Sequence, residues 1–168
     1  MDRLSDPSFW QFACERYTRA GVTERLLRWQ DANGIDVIEI LVGLWLAERG
    51  VALDSARLGD LRSATQSWSC EAIYDFRVWR RRFKKLTALP EAMDRTEDHV
   101  SLYKRACSLE LEMERLQIER TESLARTWPS TEPPSPALAE ANLRRVIGDD
   151  PSGLSDIRAL VMLVFERP

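Results

Sequence analysis

The sequence predicts an all-α protein, a helical bundle around a buried central helix over about residues 35–49, with a C-terminal helical appendage. Three observations predict it. Glycine is scarce, at 7 of 168 residues, and no stretch alternates apolar and polar side chains for long, so the strand signal is missing. Apolar residues recur at helical spacing in several separate stretches. The run from Ile35 to Ala47 places apolar residues on every side of a helical wheel, the mark of a helix buried all round. That run is too short to span a bilayer, which takes about 20 apolar residues, and Asp36 and Glu39 interrupt it.

Taken in order, Asp6-Pro7 reads as the start of a first helix, since Asp caps well and Pro is tolerated at the first helical position. Phe9, Phe12, Ala13 and Tyr17 give it an apolar face, and Gly21 ends it. Thr23 is the expected cap of a second helix, carrying Leu26, Leu27 and Trp29. Asn33-Gly34 closes that helix, and Asp36 with Glu39 forms a capping box for the central one. Gly50 stops the central helix. Asp54 then caps a segment with Leu58 and Leu61.

Two stripes follow, each repeating at 4, 3, 4 and 3. The first is Ala72, Phe76, Trp79, Phe83 and Leu86, on a helix that is otherwise basic. The second is Leu102, Ala106, Leu109, Met113 and Leu116, on a long Glu-rich helix from about Asp98 to Arg126. Both stripes read as core, and most of the 6 tryptophans read as core anchors. Neither heptad run is long enough for a free-standing coiled coil. A basic helix joined to an acidic one by a short Pro90-containing link predicts an antiparallel, charge-paired hairpin.

Composition then changes. Pro129 to Pro136 reads as a semi-rigid linker. Leu138 to Ile147 reads as a short helix ended by Gly148, and Ser155 as the opening of a last helix over Asp156 to Glu166. The domain reading is therefore a helical bundle over 1–128, a Pro-rich linker over 129–136, and a helical hairpin over 137–168 that docks on the bundle or on a second copy.

Net charge is −3 and pI about 5.4, which excludes nucleic-acid or membrane-surface binding by bulk charge alone. The hydrophobic fraction of 44% supplies a core and the charged fraction of 30% keeps the chain soluble. Cys14, Cys70 and Cys107 are odd in number and widely spaced, so neither a disulfide framework nor a zinc site is expected. No signal peptide is visible, and the expected setting is cytoplasmic.

FWQFACERY, LLRWQDANGIDVIEILVGLWL, YDFRVWRRRFKKL and LYKRACSLELEMERLQIE, in that order, resemble a proteobacterial family of small proteins catalogued as a domain of unknown function. The resemblance covers Ser8 to Leu124. It implies a cytoplasmic all-helical protein and carries no activity with it.

Candidate site residues come from the two charged helices. Arg77, Arg81, Arg82 and Lys85, with Arg80 and Lys84, are cations suited to phosphate, RNA or an acidic protein. Glu110 and Glu114 lie one turn apart and project from one side. They suit pairing with the basic helix, or a carboxylate cluster together with Asp36 or Glu39. The lone His99 is out of register for such a cluster and is expected in solvent. No nucleophile elbow, phosphate loop or dinucleotide fingerprint occurs, so no catalytic residue, metal ligand or cofactor is assigned. The leading expectation is a non-catalytic adaptor or regulatory protein that binds a protein partner, or itself, through helical surfaces. The alternatives are an RNA- or ribosome-associated factor using the Arg-rich helix, and a helical enzyme or metal protein using Glu110 and Glu114.

Overall fold

A computed structural model describes residues 7–87, 96–148 and 151–165. Among the described residues the fold is all helical, with no strand, as the sequence predicts. No described helix is long and apolar enough to cross a membrane. The chain forms two compact units, one from Met1–Leu61 with Thr121–Pro168, the other from Arg62–Arg120.

The first unit begins with α1 (Phe9–Tyr17), α2 (Val22–Asn33) and α3 (Val37–Glu48). Two expected caps are displaced. Ser8, not Asp6, caps α1, in a reciprocal capping box with Gln11; Asp6 itself lies outside the described residues. The Glu122 carboxylate accepts from Phe9 N–H at 3.0 Å, satisfying another free amide of that first turn. Gly21, at φ 80°, stands at the cap of α2 in place of Thr23. The Thr23 hydroxyl instead donates to the Tyr17 carbonyl, tying α2 back to α1. Gly34 ends α2 in the left-handed region at φ 67°, and the Asp36 carboxylate accepts from Ile38 N–H at 2.9 Å. The Gly34 stop and Asp36 as cap follow the sequence reading; the Asp36 bond goes to Ile38 N–H rather than to Glu39 N–H, where the expected capping box would place it.

In α3, Ile38 and every residue from Ile40 to Ala47 are buried. The helix packs against α1, α2 and α7 (Pro136–Ile147). Trp45 stacks on Phe9 with ring centroids 5.2 Å apart. Gly43 lets α7 approach closely, because a Cβ there would lie 3.3 Å from Leu143 Cδ2. The contact is sealed by Asn142, buried on α7. Its amide nitrogen donates to the Gly43 carbonyl at 3.0 Å and the Val51 carbonyl at 3.1 Å. Its amide oxygen accepts from Leu53 N–H at 2.7 Å. One side chain thus bonds three backbone groups, one within α3 and two just beyond its end.

Residues 129–135 are irregular, as their prolines require, and lie against Gly50. The Gly50 carbonyl accepts from Thr131 N–H and Glu132 N–H, both at 3.0 Å. Gly50 has φ +68°, and a Cβ there would fall 2.0 Å from the Glu132 carbonyl oxygen. Gly50→Ala is therefore expected to combine left-handed strain of roughly 1–2 kcal/mol with a backbone clash. The denaturant midpoint should fall clearly. Gly59→Ala is the control, because Gly59 lies inside α4 (Ser55–Ser67) with nothing within 4 Å of the added Cβ. It should stabilise by about 0.5–1 kcal/mol.

Helix α8 (Pro151–Phe165) begins earlier than Ser155, the expected start. Pro151 takes a first-turn position, where its missing N–H costs nothing. Ile157, Leu160, Val161 and Val164 are buried against α7 and α2. Arg25 pairs with Asp156 at 2.9 Å. Arg19 donates to the Leu163 and Val164 carbonyls at 3.1 and 2.9 Å, satisfying the free acceptors of the last turn.

The second unit holds the end of α4, a π-helical segment Trp68–Tyr74, α5 (Asp75–Thr87), and α6 (Thr96–Ala125) as far as Arg120. Pro90 and the link between α5 and α6 lie outside the described residues.

Candidate functional site

Antiparallel pairing of α5 and α6 is written in their side-chain contacts. Arg77 reaches Glu110 at 2.9 Å and Glu114 at 2.6 Å. Arg80 meets Glu110 and donates to the Tyr103 hydroxyl at 2.9 Å. Lys84 lies over the Tyr103 ring, 5.9 Å from its centroid. At the other end the Trp68 indole donates to the Met113 carbonyl at 3.0 Å, and Arg120 covers the Trp68 ring. Residues 68, 77, 80 and 84 of one helical arm of the hairpin thus run opposite 113–120, 110–114 and 103 of the other.

Glu110 is the most enclosed charge of this group, at 7% exposure. Burial pushes its carboxyl up, but hydrogen bonds and charge from Arg80 and Arg77 outweigh burial and hold it below its ordinary 4.5. Burial works against the charge on Arg77, and Glu110 and Glu114 more than reverse the effect, so that its guanidinium is raised. Arg80 is raised chiefly by its hydrogen bond to Glu110. The carboxylate of Glu110 is committed to two guanidinium forks, a geometry that fixes an ionised pair rather than one poised to exchange protons. Among the described residues no three His, Cys, Asp or Glu side chains gather as a metal ion would require. Asp36, in the other unit, is spent as the α3 cap.

The remaining sequence candidates fall elsewhere. Arg81, Arg82 and Lys85 are exposed. His99 lies in the first turn of α6 but is half-buried, not in solvent as expected. Cys14 and Cys70 are exposed and Cys107 is partly so.

The two apolar stripes depart most from expectation. They read as core, and Ala106 is buried with Ala72, Phe76, Phe83 and Met113 partly so, yet Trp79, Leu86, Leu102, Leu109 and Leu116 are between 46% and 59% exposed. Of the tryptophans only Trp29 and Trp45 are buried. The physical reason is the charge network. Arg77 and Arg80 must reach Glu110 and Glu114, so those residues occupy the space between the helices and the apolar stripes are turned to one side. Trp79 stacks on Phe83, ring centroids 5.3 Å apart and planes 6° from parallel, and tilts against Phe76 at 5.5 Å. The result is a row of aromatics on the surface of α5.

The π-helical segment carries no sequence signature that pattern reading would catch. The Trp68 indole bonded to a carbonyl of α6, together with Ile73 buried on the same segment, is what holds this widened turn in place.

Residues 8–121 match the family described as "Protein of unknown function (DUF2390)". The chain belongs to the DUF2390 family. The match spans α1 through most of α6, so it takes in the whole Arg77–Glu110 network and both exposed stripes. Helices α7 and α8 lie beyond the DUF2390 match, although α7 packs on α3 within it. No curated protein and no solved structure matches the chain.

Proposed function

We propose that this DUF2390 protein is a non-catalytic adaptor or regulatory protein that binds a protein partner through the helical surface of its second unit. The observation that carries the reading is the exposure of Trp79, Leu86, Leu102, Leu109 and Leu116, large apolar side chains grouped on α5 and α6. Soluble chains rarely leave contiguous apolar surface in water unless something covers it. The carboxylates that would otherwise suggest chemistry, Glu110 and Glu114, are engaged by Arg77 and Arg80.

Affinity capture at native expression tests this directly, with Leu109→Glu as the comparison. Leu109 is nearly half exposed, so the substitution removes apolar surface without hollowing a core. The reading expects a stoichiometric protein partner, this chain itself included, that the variant loses. Capture of no partner by either form would overturn it.

A further inference from the structure

We infer that the π-helical segment Trp68–Tyr74 is a phase device: it stores one extra residue in the helix that runs from α4 into α5, and giving that residue up turns α5 to a second register on α6.

Trp68 faces α6, since its indole donates to the Met113 carbonyl at 3.0 Å. Counting on from Trp68, the apolar residues Ala72, Phe76, Trp79, Phe83 and Leu86 follow at spacings of 4, 4, 3, 4 and 3. At about 100° per residue, an unbroken α-helix would hold all six within a sector of about 80°. The buried Thr65, in the last turns of α4, falls in the same sector. An unbroken helix that points Trp68 at α6 would therefore point the whole stripe at α6.

The structure has the next stripe there instead. Arg77 and Arg80 meet Glu110, and Lys84 lies over the Tyr103 ring. Each stands one position after an apolar residue, Phe76, Trp79 or Phe83. Trp79 and Leu86 are left 51% and 59% exposed. Helix α5 is thus one residue out of phase with Trp68. The π-helical segment supplies that residue. A π turn closes its hydrogen bonds from i to i+5 where an α turn closes them from i to i+4, so it takes up one residue more. Everything downstream is set back by one position, the offset observed. The step is already visible inside the segment, where Ile73 is buried and Ala72 only half so.

One sequence therefore carries two registers. In the observed one the segment is π-helical and Arg77 and Arg80 hold Glu110. In the second, the helix is α throughout, Phe76, Trp79 and Phe83 take the places of Arg77, Arg80 and Lys84, and both arginines leave Glu110. Glu110 chooses between them. It is 7% exposed, and facing the apolar stripe its carboxylate would be buried without a cation, which is costly. The second register also withdraws Trp79 from the surface assigned above to a partner, so the device controls whether that surface is offered. That consequence rests on the adaptor reading; the register does not, and it is measured without a partner.

Fluorine NMR of the full-length chain carrying fluorotryptophan tests the inference, with the Trp79 resonance assigned by its loss in Trp79→Phe. The shift of that resonance between light and heavy water reports its exposure. Glu110→Leu removes the charge that selects the observed register and gives the stripe an apolar surface to meet. The Trp79 solvent shift should at least halve. Cys70 is exposed within the π-helical segment, and its deletion takes out the stored residue. The deletion variant should keep a denaturant midpoint at or above wild type, and its Trp79 should stay exposed even with Glu110→Leu added. Deleting Ser108, exposed on the regular α6, should lower the midpoint clearly. If Glu110→Leu does not fold, Glu110→Gln is read in its place, with the same expected loss of exposure. A Trp79 as exposed in the folded Glu110 variant as in wild type overturns the inference. So do deletions of Cys70 and Ser108 that damage the fold equally.

Discussion

Asn142→Ala should be among the most destabilising single substitutions in the chain, costing about 3–5 kcal/mol. The reason is accounting of polar groups. Asn142 is 1% exposed, partners Leu53 N–H and the Val51 carbonyl, and adds a second bond to the Gly43 carbonyl, which lies within α3. Each buried group left without a partner costs about 1–3 kcal/mol, and the truncated side chain leaves a void between α3 and α7. Asn142→Asp is the sharper variant. Its carboxylate keeps the shape but faces two carbonyl oxygens with no N–H to offer, so at neutral pH it should be at least as damaging as alanine. Protonation returns one donor. A buried carboxyl in that position has a raised pKa, so the deficit of the Asp variant relative to wild type should shrink as pH falls. Equilibrium denaturation in urea at two pH values reads both effects. A deficit under 1 kcal/mol for both variants would mean that α7 is not clamped to α3 through this residue.

Glu110→Gln is expected to cost about 3 kcal/mol, within the range seen when one partner of an enclosed ion pair is removed. Arg80 would keep its charge and lose its counterpart, and Arg77 would be left with Glu114. Removing all three charges is a different experiment. Glu110→Leu with Arg77→Met and Arg80→Met should recover much of the loss, because hydrophobic replacements of similar volume often match a buried pair. The same network makes the hairpin acid-sensitive. Glu110 has a folded pKa below its ordinary 4.5, so its contribution is present above that ordinary value. It is lost as pH falls through the lower, folded value. Wild type should lose stability over that window, and Glu110→Gln should lose less of it.

How much of this was legible in the sequence depends on which force decided each element. The enclosure of Ile40 to Ala47 follows from apolar residues on all sides of one helix, a signal that needs no tertiary context. The Gly34 stop and the Asp36 cap are equally local. The pairing of basic and acidic helices was readable from charge, because long arginines find carboxylates whatever else surrounds them. The position of the apolar stripes was not. Phe76, Trp79, Leu102 and Leu109 have core periodicity, and periodicity identifies a seam without naming what lies across it. The neighbouring residues Arg77, Arg80 and Glu110 claimed the space between the helices, and a one-residue offset turned the seam outward. Asn142 was invisible for a related reason: a single amide in an otherwise apolar segment gives no sign of the three backbone groups that await it. Ser8 displaced Asp6 as the α1 cap because Gln11, three residues on, completes a reciprocal box that Asp6 could not form.

The central claim is that the carboxylates of the hairpin hold the fold and that its exposed apolar face does the binding. The most direct test is a pH titration of the Glu110 side-chain carboxyl by carbon-detected NMR in the full-length protein. The account predicts titration below the ordinary carboxylate value, with the ionised form fixed by Arg77 and Arg80 through the neutral range. A Glu110 that titrates at or above that value would contradict it, because a carboxyl freed from its guanidinium partners and raised by burial is one available for proton transfer.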